Sequence, residues 1–183
     1  MGSELFGGYK IGKNCQIDFT DVPKDLLKRI HISIGDNCHI NFGSIKSINS
    51  TVGISMREDS VIEFGSNQSF VGTCLFNMNE SSRISVGSDC LWADGFVTTS
   101  DFHSIIDVQS GQRVNHAKDV KIGNRVWLCK DFLILKGSQI GDDSVVGAHA
   151  VVVGGSYEKN VVLAGNPARV VKRNIRWDHS LLD

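Results

Sequence analysis

An aliphatic residue recurs every six positions through the second half of this chain, at Ile122, Leu128, Ile134, Ile140, Val146 and Val152. A step of six matches neither the 3.6-residue turn of a helix nor the two-residue alternation of a strand over such a length. It matches short strands joined by turns, each repeat forming one side of a coil. Glycine follows the aliphatic residue at Gly123, Gly141 and Gly147, where it is expected to take a turn conformation that a Cβ disfavours. Four places after the aliphatic residue stand Val126, Ser138, Ser144, Ala150 and Ser156, with Phe132 as the large exception. The same phrase occurs upstream as IGKNCQ from Ile11, IGDNCH from Ile34 and VGSDCL from Val86, and Phe64, Phe70 and Phe76 keep the step of six, as do Val86 and Trp92. The step breaks at Thr20–Ile30, near Asn77–Ile84 and across Ile105–Lys118, which are read as projecting loops. The expectation is one all-β domain, a parallel β-helix with coils over about 10–165, a loop over about 105–118 and a tail over 166–183.

Composition removes several classes of function. The 183 residues carry a formal net charge of -1, against the basic patch a nucleic-acid binder presents. No run reaches the roughly 18 apolar residues of a membrane span. Met1–Lys10 lacks a basic segment followed by an apolar stretch, so the expected location is cytoplasmic. The five cysteines form no Cys-x-x-Cys pair, which argues against a zinc cluster or disulfide framework. Cys15, Cys38, Cys74 and Cys90 fall in the small-residue slot and read as buried small hydrophobes.

The segment IGNRVWLCKDFLILKGSQIGDDSVVGAHAVVV, followed by LAGNPARVVKR, resembles the C-terminal half of the hexapeptide-repeat acetyltransferases. With SDFHSIID and the ending NIRWD, the chain looks closer to the capsular and lipopolysaccharide sugar O-acetyltransferases, including the sialic acid and capsule group, than to the maltose, galactoside and xenobiotic enzymes. The resemblance implies a left-handed β-helix, a homotrimer, and acetyl-CoA bound in a groove between subunits, with no metal. It implies a transferase acting on a hydroxyl of a surface sugar.

Acyl transfer to a hydroxyl needs a base, oxyanion donors and in-line positioning. His103, in Ser-Asp-Phe-His-Ser, falls where the family carries a histidine and is the candidate base. Histidine suits that task because its unperturbed pKa lies near neutrality. Asp101, two residues earlier, shares a face with His103 if the segment is extended, and is a candidate to orient the imidazole or bind the acceptor; a turn cap is the bland reading. His116 lies in the break and is a weaker substrate-contact candidate, while His39 and His149 are read as turn positions. Trp127 should point outward beside inward Leu128, for stacking on cofactor or acceptor or for subunit packing. The resemblance aligns Lys130, Ala148, Val153 and Gly154 with backbone contacts to the pantetheine arm, and Arg169 and Lys172 with basic residues near the nucleotide phosphates. Arg173 adds charge nearby, and Cys129 stands where the family usually has glycine. Gly165, Asn166 and Pro167 form a turn that redirects the chain, after which Val170–Trp177 is expected as a short C-terminal helix. The rival readings are an N-acetyltransferase of a nucleotide-linked amino sugar, a xenobiotic acetyltransferase, and a non-enzymatic β-helix scaffold.

Overall fold

A computed structural model describes residues 8–181. The chain winds as a left-handed parallel β-helix whose three sides are three sheets of seven strands each. The first sheet runs from Gly8–Ile11 to Val151–Val152, and the second from Gln16–Asp18 to Gly155–Tyr157. The third runs from Ile45–Ile48 to Val161–Gly165 and ends on Ala168–Arg173. Sequential strands pass from sheet to sheet, so each pairs in parallel with the strand one coil away: Gly95–Thr98 lies between Cys74–Met78 and Phe132–Ile134.

The step of six selects the core. Ile122, Leu128, Ile134, Ile140, Val146 and Val152 are all buried, as are Val126, Phe132, Ser138, Ser144 and Ala150 in the small-residue slot. Ser156 is exposed instead, because the register slips by one: it pairs with outward Gln139, while Gly155 aligns with Ser138 and Tyr157 with inward Ile140. In the earlier coils the core is aromatic: Phe42 stacks on Phe64 at 4.1 Å, and Trp92 packs against Phe64, Phe70, Phe76 and Phe132. Trp92 Nε1 donates to Gln68 Oε1 at 2.9 Å, which satisfies the one polar atom that ring buries. Cys38, Cys74 and Cys90 are buried in the same slot, and burial pushes the Cys90 thiol up to about 12.

The glycines play a different part from the one expected. Gly35, Gly123 and Gly141 do not adopt positive φ; the left-handed residue is Asn37, Arg125 or Asp143, two places later. What excludes a side chain is close approach between coils: a Cβ on Gly141 would lie 2.5 Å from Lys159 N. Asn and Asp tolerate the left-handed conformation, and their side chains bond from coil to coil, as in Asn67 Nδ2 to Asp89 Oδ1 at 2.6 Å.

The three breaks differ in kind. Thr20–Ile30 holds the helix Lys24–Leu27 in place of a third side of the first coil, with Val22 and Leu27 buried. The break near Asn77–Ile84 is only a turn between Cys74–Met78 and Arg83–Val86. The third is a true arm, spanning 99–119 between Gly95–Thr98 of the first sheet and Val120–Ile122 of the second. The C-terminal helix expected over Val170–Trp177 does not form. Ala168–Arg173 is a strand antiparallel to Val161–Gly165. The physical reason is the edge left by the last coil, whose unpaired backbone groups accept one more strand, and Val170 and Val171 favour that conformation.

Candidate active site

The arm leaves the corner between the first and second sheets and returns as a hairpin, with Ile106 bridging Arg113 and Val114 N–H donating to Ile105 O at 2.9 Å. It buries little apolar surface: Phe102, Ile105, Ile106, Val108 and Val114 are all exposed. Polar contacts hold it instead. Arg113 makes a two-pronged pair with Glu80, 2.7 Å on each side, from the coil below. Lys136 Nζ, from the coil above, donates to Asp101 Oδ2 at 2.6 Å and to Asn115 O at 2.9 Å. Asn115, buried within the arm, donates to Asp101 Oδ2 and to His103 O.

His103 is exposed at the head of this arm, and among the described residues its imidazole has no hydrogen-bond partner. It opens on a cleft of about 190 Å³ with Arg57, Asn79, Glu80, Asp101, Phe102, Ser104 and Arg113. Asp101 shares that cleft, but its carboxylate is taken by Lys136 and Asn115, which hold it below the usual carboxylate range. An imidazole-orienting bond from Asp101 is therefore not formed in this structure. Arg113 holds the Glu80 carboxyl down in the same way. His116, on the returning arm, is exposed and near enough to Glu80 to act on it through charge. His39 opens the strand His39–Phe42 rather than a turn, while His149 does sit at a left-handed turn.

The residues aligned with cofactor contacts divide between two edges. Val153 and Gly154 stand on the corner between the first and second sheets, two coils above the arm; a Cβ on Gly154 would meet Lys136 O at 3.4 Å. Lys130 and Ala148 stand on the corner between the third and first sheets, and Trp127 on the outer face of the third. Arg169 and Lys172 lie on the last strand of that third sheet. One chain thus joins Val153 and Gly154 with the His103 edge and leaves Trp127, Lys130, Ala148, Arg169 and Lys172 on the other side.

On that side Lys130 and Lys172 form no ion pair among the described residues, and Arg169 bonds only to the carbonyl of Ala168. Arg173 is already paired with Glu158. Trp127 does face outward, 36% exposed, in a column between Leu91 and Val145. Its ring meets Trp177 of the C-terminal tail at 5.9 Å, and Trp177 Nε1 donates to Arg125 O at 2.7 Å. Burial pushes the Cys129 thiol up, opposite to the shift of an activated nucleophile. No group of three or more His, Cys, Asp or Glu among the described residues is arranged to hold a metal.

Glu80, Arg113, Asn115 and Lys136 escaped the sequence reading. Their contacts link residues 33 and 35 positions apart, and Lys136 occupies an ordinary corner of its repeat. Arg113 and Asn115 alternate within the break, a weak sign of an extended stretch with one face engaged.

No family model matches the chain. A polysialic acid O-acetyltransferase of Neisseria meningitidis is 35% identical over 94 residues, which is 51% of this chain and 44% of that protein. A polysialic acid O-acetyltransferase of Escherichia coli O1:K1 / APEC is 36% identical over 90 residues, 49% of this chain and 29% of that protein. The matched segment thus spans less than half the length of these relatives. Among solved structures, a polysialic acid O-acetyltransferase superposes with a TM-score of 0.72 at 29% identity, covering 93% of this chain and 90% of that one. A polySia-specific acetyltransferase superposes at 0.66 with 22% identity, which concerns the fold alone. By its coils, its sequence and its superposition, the chain is a hexapeptide-repeat β-helix related to the polysialic acid O-acetyltransferases.

Proposed function

We propose that this protein is an acetyl-CoA-dependent O-acetyltransferase acting on a hydroxyl of a cell-surface sugar, with His103 as general base. The observation that carries the reading is His103 itself: an unpartnered imidazole at the mouth of a cleft, on an arm anchored to the coils below and above it. In direct transfer, His103 accepts the hydroxyl proton as the acceptor oxygen bonds to the thioester carbonyl carbon. The carbon–sulfur bond then breaks, and the imidazolium returns its proton to the departing thiolate. Acetyl-CoA supplies the activated acetyl group when bound. Arg169 and Lys172 suit its phosphates, being cations without an ion-pair partner among the described residues, and the Lys130 backbone suits the pantetheine arm. Val153 and Gly154 on one edge, and Trp127 and Ala148 on the other, suit the pantetheine arm. Asp101 serves the site by anchoring the arm.

The reading includes a homotrimer. What supports it is the division of the candidate residues between two edges, which a neighbouring copy would bring together by setting its Trp127 side against this chain's His103 side. It also includes cytoplasmic action, where acetyl-CoA is available; no helix among the described residues is long and apolar enough to cross a membrane.

The test is thiol release from acetyl-CoA by wild type and His103→Ala, across sialic acid oligomers, hexoses, amino sugars and chloramphenicol. Acceptor-dependent release should fall about 10²–10⁴-fold in the variant. Retained release would remove His103 from the mechanism. Preference for an amino sugar or chloramphenicol would replace the acceptor class.

A further inference from the structure

We propose that Asn115 is the positioning residue for His103, fixing the main chain immediately after the base and the Asp101 side chain before it. The catalytic part of this inference rests on the acyl-transfer reading above.

The carboxamide of Asn115 uses its whole bonding capacity within the arm. Oδ1 accepts from Ile105 N–H at 2.7 Å and from Arg113 Nε at 3.1 Å. Nδ2 donates to Asp101 Oδ2 at 2.7 Å and to His103 O at 2.8 Å. A primary amide offers two donors and one oxygen with two lone pairs, so nothing is left over. The contacts to His103 O and Ile105 N–H bracket a single residue, Ser104, much as a neighbouring strand would. The side chain thus substitutes for backbone pairing where the arm departs from the coils.

The hub is itself pinned. Its own carbonyl accepts from Lys136 Nζ at 2.9 Å and from Arg113 Nη2 at 3.2 Å. Through Lys136 it is referred to the coil above, and through Arg113 and Glu80 to the coil below. With so little apolar surface buried in the arm, these polar contacts set where the base stands. Asparagine is the residue type the site requires. Aspartate has nearly the same shape but cannot donate, and would set a second carboxylate against Asp101 and a carbonyl oxygen.

The test uses the full chain as wild type, His103→Ala, Asn115→Ala and Asn115→Asp. Displacement of a catalytic group by about 1 Å costs on the order of 10²-fold, so kcat should fall about 10- to 100-fold in both Asn115 variants. The KM for acetyl-CoA should stay within about twofold, because most of the residues proposed to hold it lie on the opposite edge. In Asn115→Asp the deficit relative to wild type should shrink as pH falls, since a protonated carboxyl regains a donor. Hydrogen exchange should show the Ile105 amide losing protection in Asn115→Ala while the coil strand Val120–Ile122 keeps it. Unchanged kcat in both variants, with His103→Ala inactive, would overturn the positioning role and leave the acyl-transfer reading standing. If wild type itself releases no thiol with any acceptor, that reading fails, and exchange alone decides: retained protection at Ile105 overturns the inference and lost protection upholds it. Loss of protection through the coils as well would assign Asn115 a general structural role and overturn it too.

Discussion

The coils and the arm are built from the same chain by opposite means. In the coils, apolar side chains fill the interior and backbone ladders tie each turn to the next, so that Trp92, Phe70 and Ile134 have no accessible surface. In the arm the apolar residues face solvent, and carboxylates, cations and one amide hold the backbone. The contrast separates stability from geometry. Coils gain free energy from area removed from water, which is non-directional. Hydrogen bonds add little net stability but fix direction, which is what a base needs. Damage to the coils should therefore unfold the protein, and damage to the arm should disable it while it stays folded.

The largest effect is expected from Trp92→Ala. It empties the centre of the aromatic cluster and orphans Gln68 Oε1. The loss should be about 3–5 kcal/mol in denaturant unfolding. A loss under about 1 kcal/mol would mean that the core does not depend on this packing. Gly141→Ala comes next, since its new methyl meets the backbone of the next coil. A destabilisation of about 1–3 kcal/mol is expected, with thiol release per folded molecule unchanged. An unchanged melting temperature would show that neighbouring coils can spread.

The smallest effect on global stability comes from acid, and it falls on the arm. The Glu80 and Asp101 carboxyls are held below their ordinary values of 4.5 and 3.8 by Arg113 and by Lys136 with Asn115. Carboxyls depressed by folding contribute stability above their unfolded pKa, and that contribution is lost as pH falls through the folded value. The anchorage is thus complete at neutral pH and weakens below about pH 4. Amide exchange followed downward in pH should show Ile105 opening first, with Val120–Ile122 still protected. Simultaneous opening of both would erase the distinction between the two regions.

The same contrast explains what was legible in the sequence. Trp92, Phe64 and Ile134 announced their burial because a coil repeats one local choice every six residues, and many copies average out the noise. His103 stood out as a candidate through the phrase around it, and the outward face of Trp127 was legible through its place beside an inward leucine. Asp101 shares the cleft with His103 but bonds Lys136 and Asn115 rather than the imidazole, because Lys136 reaches it from 35 residues away. The C-terminal strand was misread because the edge it pairs with exists only once the coils have stacked.

By itself, then, the sequence determined the coil, its inward residues, its small slots and the corner from which an arm departs, since each follows from periodicity within a few residues. Tertiary structure alone decided that Gly35, Gly123 and Gly141 serve contact between coils, while the left-handed conformation falls two places later at Asn37, Arg125 and Asp143. It also decided that Asn115 bonds the chain at His103 and Ile105, and that the candidate cofactor residues stand on two edges. Those features depend on which residues of successive coils lie over one another, and that register is set when the coils pack.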